Sequence, residues 1–458
     1  MGDEVLDSTK RRLDMRLATW QAQARVPSIV SAIVRDNRAV WTLARGAFPS
    51  GADPFALQYR IGSITKTFVA VAIMQLRDEK RLGLNDPLET YVPGTPFGGA
   101  TIAQLLSHTA GIAAEPPGPW WERSPGPTWA QLYESLDDSV VINRPGWRHH
   151  YSNLGYAILG EVVSRLHGRD WFDVVKDNIV APLGMDNTSA LPGPSHAQGY
   201  AVHPYADTVM LETVQDTKAM GPAGQMWSTV PDLARWAAFL DGETGDVLDP
   251  VTVAQMREPV SVTDSSGWSA ASGLGLQLWR HHGRVLVGHG GSMPGFQANV
   301  RVDHSTRTAV VHVLNATSQS PSDDVEDPFD IMDECEPRLP QPWLPNWQVT
   351  QDDLDISGPW YWGTSQGVIR VLKDGWLKLE NVTGMVTTSL FRPNGDGTWT
   401  GINSYHRDEC LRVERDDHGT VTHLNIGTFV FSRSPYEPGD LMPGGNDDGG
   451  WAVDTSAS

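Results

Sequence analysis

Cysteine is almost absent from this chain: Cys335 and Cys410 are the only two in 458 residues. A disulfide framework needs more, and neither has a metal-ligating neighbour at a useful spacing. Long apolar runs are missing as well. The richest, Phe68 to Met74, is far too short to span a bilayer. The first residues, MGDEVLDSTKRRLDMRL, scatter charges and lack an apolar centre, which excludes a secretory signal. Leu6 stands where a myristoylation signal needs Ser or Thr. The cytoplasm is therefore the expected compartment. Cations are also scarce: 35 Lys and Arg against 55 Asp and Glu leave a net charge of −20. Nucleic acid and anionic membrane surfaces both demand a basic face, so neither is an expected partner.

What is present reads as a large domain followed by a small one, because the chain exceeds what one hydrophobic core usually serves. Leu13, Leu17 and Trp20 recur at helical spacing within residues 9–25. Two apolar runs, Ile29–Val34 and Ala39–Leu43, flank Arg35-Asp36-Asn37-Arg38 and predict a β-hairpin. Ser63 to Leu84 has the pattern of a buried helix stopping at Gly83, and Leu154–Leu166 that of another. Strands return at Gly275–Trp279, Val285–Gly288, Gln297–Asp303 and Thr308–Leu314. Terminal strands around a helical middle predict an α+β fold whose antiparallel sheet is built from both ends of residues 1–320. Residues 321–350 are acidic and then rich in proline, as in a linker. Short strands broken by tight turns over 351–436 predict a small antiparallel β-barrel, and 437–458 read as a disordered tail.

Three short motifs carry chemistry. In Gly62-Ser63-Ile64-Thr65-Lys66, spacing of three puts Ser63 and Lys66 on one face of a helix's first turn. The serine hydroxyl then sits beside unpaired backbone N–H groups, and a desolvated lysine can accept its proton. Tyr151-Ser152-Asn153 can aim a phenol and an amide into one cleft, the phenol as a second proton acceptor if a lysine ammonium lowers its pKa. His289-Gly290-Gly291-Ser292 follows a short strand, and its glycines let a substrate backbone run alongside while the Ser292 N–H points inward. Each alone is equally a helix cap, a packed tyrosine or a glycine turn.

In this order and spacing the three motifs resemble the active-site elements of the serine β-lactamase and penicillin-binding-protein family. Leu105-Leu106-Ser107-His108-Thr109-Ala110-Gly111, Pro182-Leu183-Gly184-Met185 and Ala223-Gly224-Gln225-Met226-Trp227-Ser228-Thr229 look like further family segments. The resemblance covers roughly residues 10–315 and is nearest the class C β-lactamase, DD-peptidase and esterase branch. It implies a β-lactamase/DD-peptidase-like domain followed by a lipocalin-like barrel, with neither metal nor organic cofactor. Ser63 would be the acylated nucleophile, Lys66 and Tyr151 its activating bases, and Asn153 the group orienting a substrate amide. The N–H groups of Ser63 and Ser292 would form the oxyanion hole beside Gly290 and Gly291. The family usually has lysine where this chain has His289. That departure removes an ammonium that helps hold a substrate carboxylate, and a histidine could instead assist deacylation.

A cytoplasmic member needs a cytoplasmic acyl donor. The chain most resembles the standalone penicillin-binding-protein-type thioesterases, which cyclise nonribosomal peptides head to tail at a C-terminal D-residue. The implied partner is a peptidyl chain on a carrier-protein pantetheine thioester. A hydrolase of the same fold (an esterase, D-aminopeptidase or β-lactamase-like enzyme) fits the same residues. An inactive binding protein fits less well, because Ser63, Lys66 and Tyr151 are all intact. Trp120, Trp121 and Trp129, in the Pro/Gly-rich loop Glu115–Trp129, either wall a wide cleft or pin the loop to the body.

Overall fold

The computed structural model describes residues 5–317, 326–340 and 342–436, so the tail from 437 lies outside the described residues. The chain divides into two compact units, Met1–Arg338 and Leu339–Ser458.

In the first unit, helix α1 (Asp7–Gln23) leads into a hairpin of β1 (Ser28–Arg35) and β2 (Arg38–Gly46). Asp36 and Asn37 both take positive φ, 48° and 65°, as a two-residue type I′ turn requires. The later strands are β3 (Ser261–Val262), β4 (Ala270–Ser272), β5 (Gln277–His281), β6 (Arg284–Met293), β7 (Phe296–Asp303) and β8 (Thr308–Leu314). They form one eight-stranded sheet in the order β2-β1-β8-β7-β6-β5-β4-β3. Pairing of Ile29 with Leu314 joins the two ends of the unit.

The sheet is covered on both faces, and the period of two shows it. Ile29 and Ile33 of β1 pack with Leu13, Leu17 and Trp20 of α1, while Val30, Ala32 and Val34 enter the main core. That core holds α2 (Thr65–Asp78), whose residues 65–74 are all buried. A helix apolar on every side belongs inside, and this one is walled by α3 (Asn153–His167) and α4 (Val230–Asp241). The α2 helix ends before the expected Gly83. Lys80 turns left-handed at φ 59°, and its N–H and that of Arg81 return to the carbonyls of Arg77 and Leu76.

Two further expectations need correction. The stretch 321–350 is not linker throughout, because Pro328–Cys335 forms helix α5, capped by Asp327, with Phe329, Ile331 and Met332 buried against the α1 side of the sheet. The strand predicted over Val285–Gly288 is also longer than expected. Strand β6 runs on through His289, Gly290, Gly291 and Ser292 to Met293.

The second unit is a closed eight-stranded barrel opening with Gly358–Trp362 and closing with Phe429–Ser432. It has a core of its own, centred on Trp360, Leu379, Phe391 and Leu424.

Candidate active site

A single 3₁₀ turn, Gly62–Ile64, delivers Ser63 to the start of α2. Ser63 is partly exposed between buried neighbours, as a nucleophile at the floor of a cleft should be. One helical turn on, Lys66 is fully buried with Nζ 2.9 Å from Ser63 Oγ and 2.5 Å from the Ala223 carbonyl oxygen. Burial lowers the Lys66 pKa from its usual value to about 7, opposed by the charges of Glu115 and Glu122. A good share of Lys66 is therefore neutral near pH 7, with a lone pair for the Ser63 proton.

Tyr151 comes from the loop before α3 and is hydrogen-bonded to Ser63 through its phenol. Lys66 Nζ lies 5.0 Å from the Tyr151 ring centre. Burial nevertheless pushes the Tyr151 pKa well up, against the opposing pull of the Ser63 hydrogen bond. The expected lowering by a lysine ammonium does not arise, because desolvation of the phenolate dominates at Tyr151. Tyr151 stays a phenol at neutral pH, suited to donate or relay a proton. His108 sets its position: the two rings stack at 4.2 Å, and His108 Nδ1 accepts the Ser152 N–H at 3.0 Å. Burial holds the His108 pKa far below the usual imidazole value, so it acts as a neutral prop.

Strand β6 brings the third element. Strand β5 pairs with β6 only as far as Gly288, which leaves the edge of β6 open beyond it. The Gly290 N–H points to that edge, donating to Gln277 Oε1 at 3.1 Å. Amides two apart on a strand face the same edge, so the Ser292 N–H does too. A Cβ on Gly62 (φ +52°) would fall 2.5 Å from Ser292 N, and one on Gly291 would fall 3.3 Å from Ser63 N and 1.8 Å from the Ile61 oxygen. Only glycines allow the two backbones to lie this close. The amides of Ser63 and Ser292 thus sit side by side, an arrangement that can hold an oxyanion.

His289 is buried, with its ring 6.2 Å from that of Tyr151 and Nδ1 2.5 Å from the Gly290 oxygen. Burial, with help from the nearby Lys66, drops its pKa to about 3, so it is neutral. It cannot replace the missing ammonium. Asn153 opens α3, and its Nδ2 donates to Glu115 Oε1 at 2.7 Å. Glu115, Gln277 and the Ala223 carbonyl are groups that sequence reasoning did not single out.

In the loop after Glu115, Trp121 is buried and donates to Glu115 Oε2 at 2.6 Å, so it pins the loop. Trp120 leaves most of its indole exposed and donates to Glu122. Among the described residues, no group of three or more His, Cys, Asp or Glu could hold a metal ion, and no helix is long and apolar enough to cross a membrane.

A family model described as Beta-lactamase matches residues 13–331, and one described as a domain of unknown function (DUF7586) matches residues 349–433. Beta-lactamase-like protein 2 of Dictyostelium discoideum is 26% identical over 278 residues, 57% of this chain and 50% of that protein. The chain spans about half to two thirds of the length of the curated relatives it matches first. Among solved structures, a D-stereospecific amidohydrolase from Streptomyces sp. superposes with a TM-score of 0.58 at 26% identity, covering 72% of this chain and 97% of that one. SurE superposes with a TM-score of 0.59 at 21% identity, covering 93% of this chain and 99% of its own, and has also been solved with D-Leu. At that identity the likeness concerns fold alone.

Proposed function

The chain belongs to the beta-lactamase family, and from that premise we propose that it is a serine acyltransferase that releases a peptide from a carrier-protein thioester by joining its amine to a C-terminal D-residue. The observation carrying the acyl-transfer part is the Ser63 Oγ to Lys66 Nζ distance of 2.9 Å with the amides of Ser63 and Ser292 alongside. Ser63 Oγ attacks the thioester carbonyl and its proton passes to neutral Lys66. The oxyanion is held by the two amides, and Tyr151 relays the proton to the departing thiolate. The peptide's amine then attacks the Ser63 ester. It loses a proton to Lys66, and Ser63 leaves as the hydroxyl.

The cyclase part is supported by the resemblance to penicillin-binding-protein-type thioesterases; the barrel does not decide it, because hydrolases of this fold also carry one. The specific observation favouring plain hydrolysis is the likeness to the D-stereospecific amidohydrolase, which covers 72% of this chain. A peptidyl pantetheine thioester ending in a D-residue separates the two. The cyclase reading expects mainly cyclic product and a poor reaction of the C-terminal L-epimer. Intramolecular attack has an effective-molarity advantage of up to about 10⁵ M or more when the ends are well placed. Linear acid alone, at equal rates for both epimers, would leave a non-stereoselective hydrolase in its place.

A further inference from the structure

The proposed cleft is short of cations. His289 stands neutral where the family resemblance expects an ammonium. Arg123 is taken up in an ion pair with Glu212. Arg60 is buried and donates to the Gln215 carbonyl and to Gln225. The charges that Lys66 and Tyr151 feel are instead those of two carboxylates, Glu115 and Glu122. Arg60 offsets Glu122 electrostatically. Glu115 feels the charge of Lys66 but makes no direct ion pair among the described residues: its hydrogen-bond partners are the neutral donors Asn153 and Trp121.

Resting on the acyl-transfer reading above, we propose that Glu115 anchors a primary ammonium of the acyl donor, so that this site takes amine-bearing donors with no carboxylate beside the scissile carbonyl. The geometry is that of a preset acceptor. Oε1 is fixed by Asn153 Nδ2 at 2.7 Å and Oε2 by Trp121 Nε1 at 2.6 Å. The Asn153 N–H donates to the Ala114 carbonyl at 2.7 Å, tying the loop to the start of α3. A carboxylate offers about four lone-pair positions, and these contacts fill two. The rest remain open, because Glu115 is exposed. Its position is thus held by Asn153, two residues after the Tyr151 that bonds to Ser63, while its outer lone pairs are left for a ligand. The ammonium has two possible sources. It is either the α-amine of a short D-aminoacyl donor or the far-end amine of a peptidyl thioester folded back towards Ser63.

Two donors tested on the full-length chain distinguish these sources: D-phenylalanyl p-nitroanilide, and a peptidyl pantetheine thioester ending in a D-residue. Each is compared with its N-acetylated form, scoring consumption of the donor. A fluorophosphonate adduct on Ser63 tests the underlying reading separately. The wild-type enzyme is expected to favour the free amine in kcat/KM by about five- to twenty-fold for at least one donor, which then names the source. Sodium chloride at about 1 M should erode that preference, since it is electrostatic. Glu115→Gln should bring the ratio close to one, and Glu122→Gln should retain most of it. A wild-type ratio near one for both donors, with Ser63 labelled, would overturn this inference and leave acyl transfer standing. So would a ratio preserved in Glu115→Gln. Failure to label Ser63 would remove the underlying reading, and this one with it.

Discussion

Lys66 is buried and Tyr151 half-buried beside Ser63, and desolvation pushes them in opposite directions on the pH scale, which keeps Tyr151 a phenol and leaves Lys66 to lose its proton near pH 7. A base must be deprotonated to act. With Lys66 held at about 7, kcat/KM should therefore rise with pH through about 7 and fall away below it. Neither His289 nor His108 contributes a limb in that range, because burial keeps both neutral. Lys66→Ala and Tyr151→Phe should each lower kcat by about 10²–10⁴-fold. The double variant should fall little further, because the two groups act as a unit. A pH profile flat from 5 to 8 in the wild type, or strictly additive losses, would contradict these assignments.

At the scale of elements, the site depends on the open edge of β6 pressed against the 3₁₀ turn that carries Ser63. A Cβ on Gly291 would lie 1.8 Å from the Ile61 oxygen, so Gly291→Ala must drive the strand and the turn apart. Losing one oxyanion donor costs roughly 10²–10³ in kcat, and that loss is expected here alongside a lower Tm. Near-normal kcat in this variant would show that the two amides do not work together. The nearness of Ser63 and Lys66 was legible because a spacing of three brings them together on a helix, while the grouping of Tyr151 with them rested on the ordered resemblance to a known family. The course of β6 was not, since consecutive glycines look the same in a turn as on an uncovered strand edge. Helix α5 was hidden because it lies between an acidic run and a proline-rich stretch that together read as linker, yet its own Pro328 sits at the first helical position, where proline is tolerated. Glu115 lies in a Pro/Gly-rich loop without periodicity, and the Ala223 contact is made by backbone. Neither leaves a mark in side-chain pattern.

At the scale of the whole molecule, two units carry separate hydrophobic cores, and the residues proposed for chemistry all come from the first. Phe391 is fully buried in the barrel core, and truncation to alanine should cost the barrel about 3–5 kcal/mol. In a thermal scan this should lower a barrel transition while Ser63 still reacts with a fluorophosphonate at the wild-type rate; loss of that reaction would show that the units do not behave separately. The net charge of −20 agrees in sign with a cleft that presents carboxylates rather than cations. The account as a whole stands on Ser63 being the acylated atom. Full-length protein treated with a fluorophosphonate, digested and read by tandem mass spectrometry tests that most directly. The adduct is expected on Ser63 and should vanish in a folded Ser63→Ala variant; an adduct on any other residue, or its persistence in that variant, would contradict the mechanism.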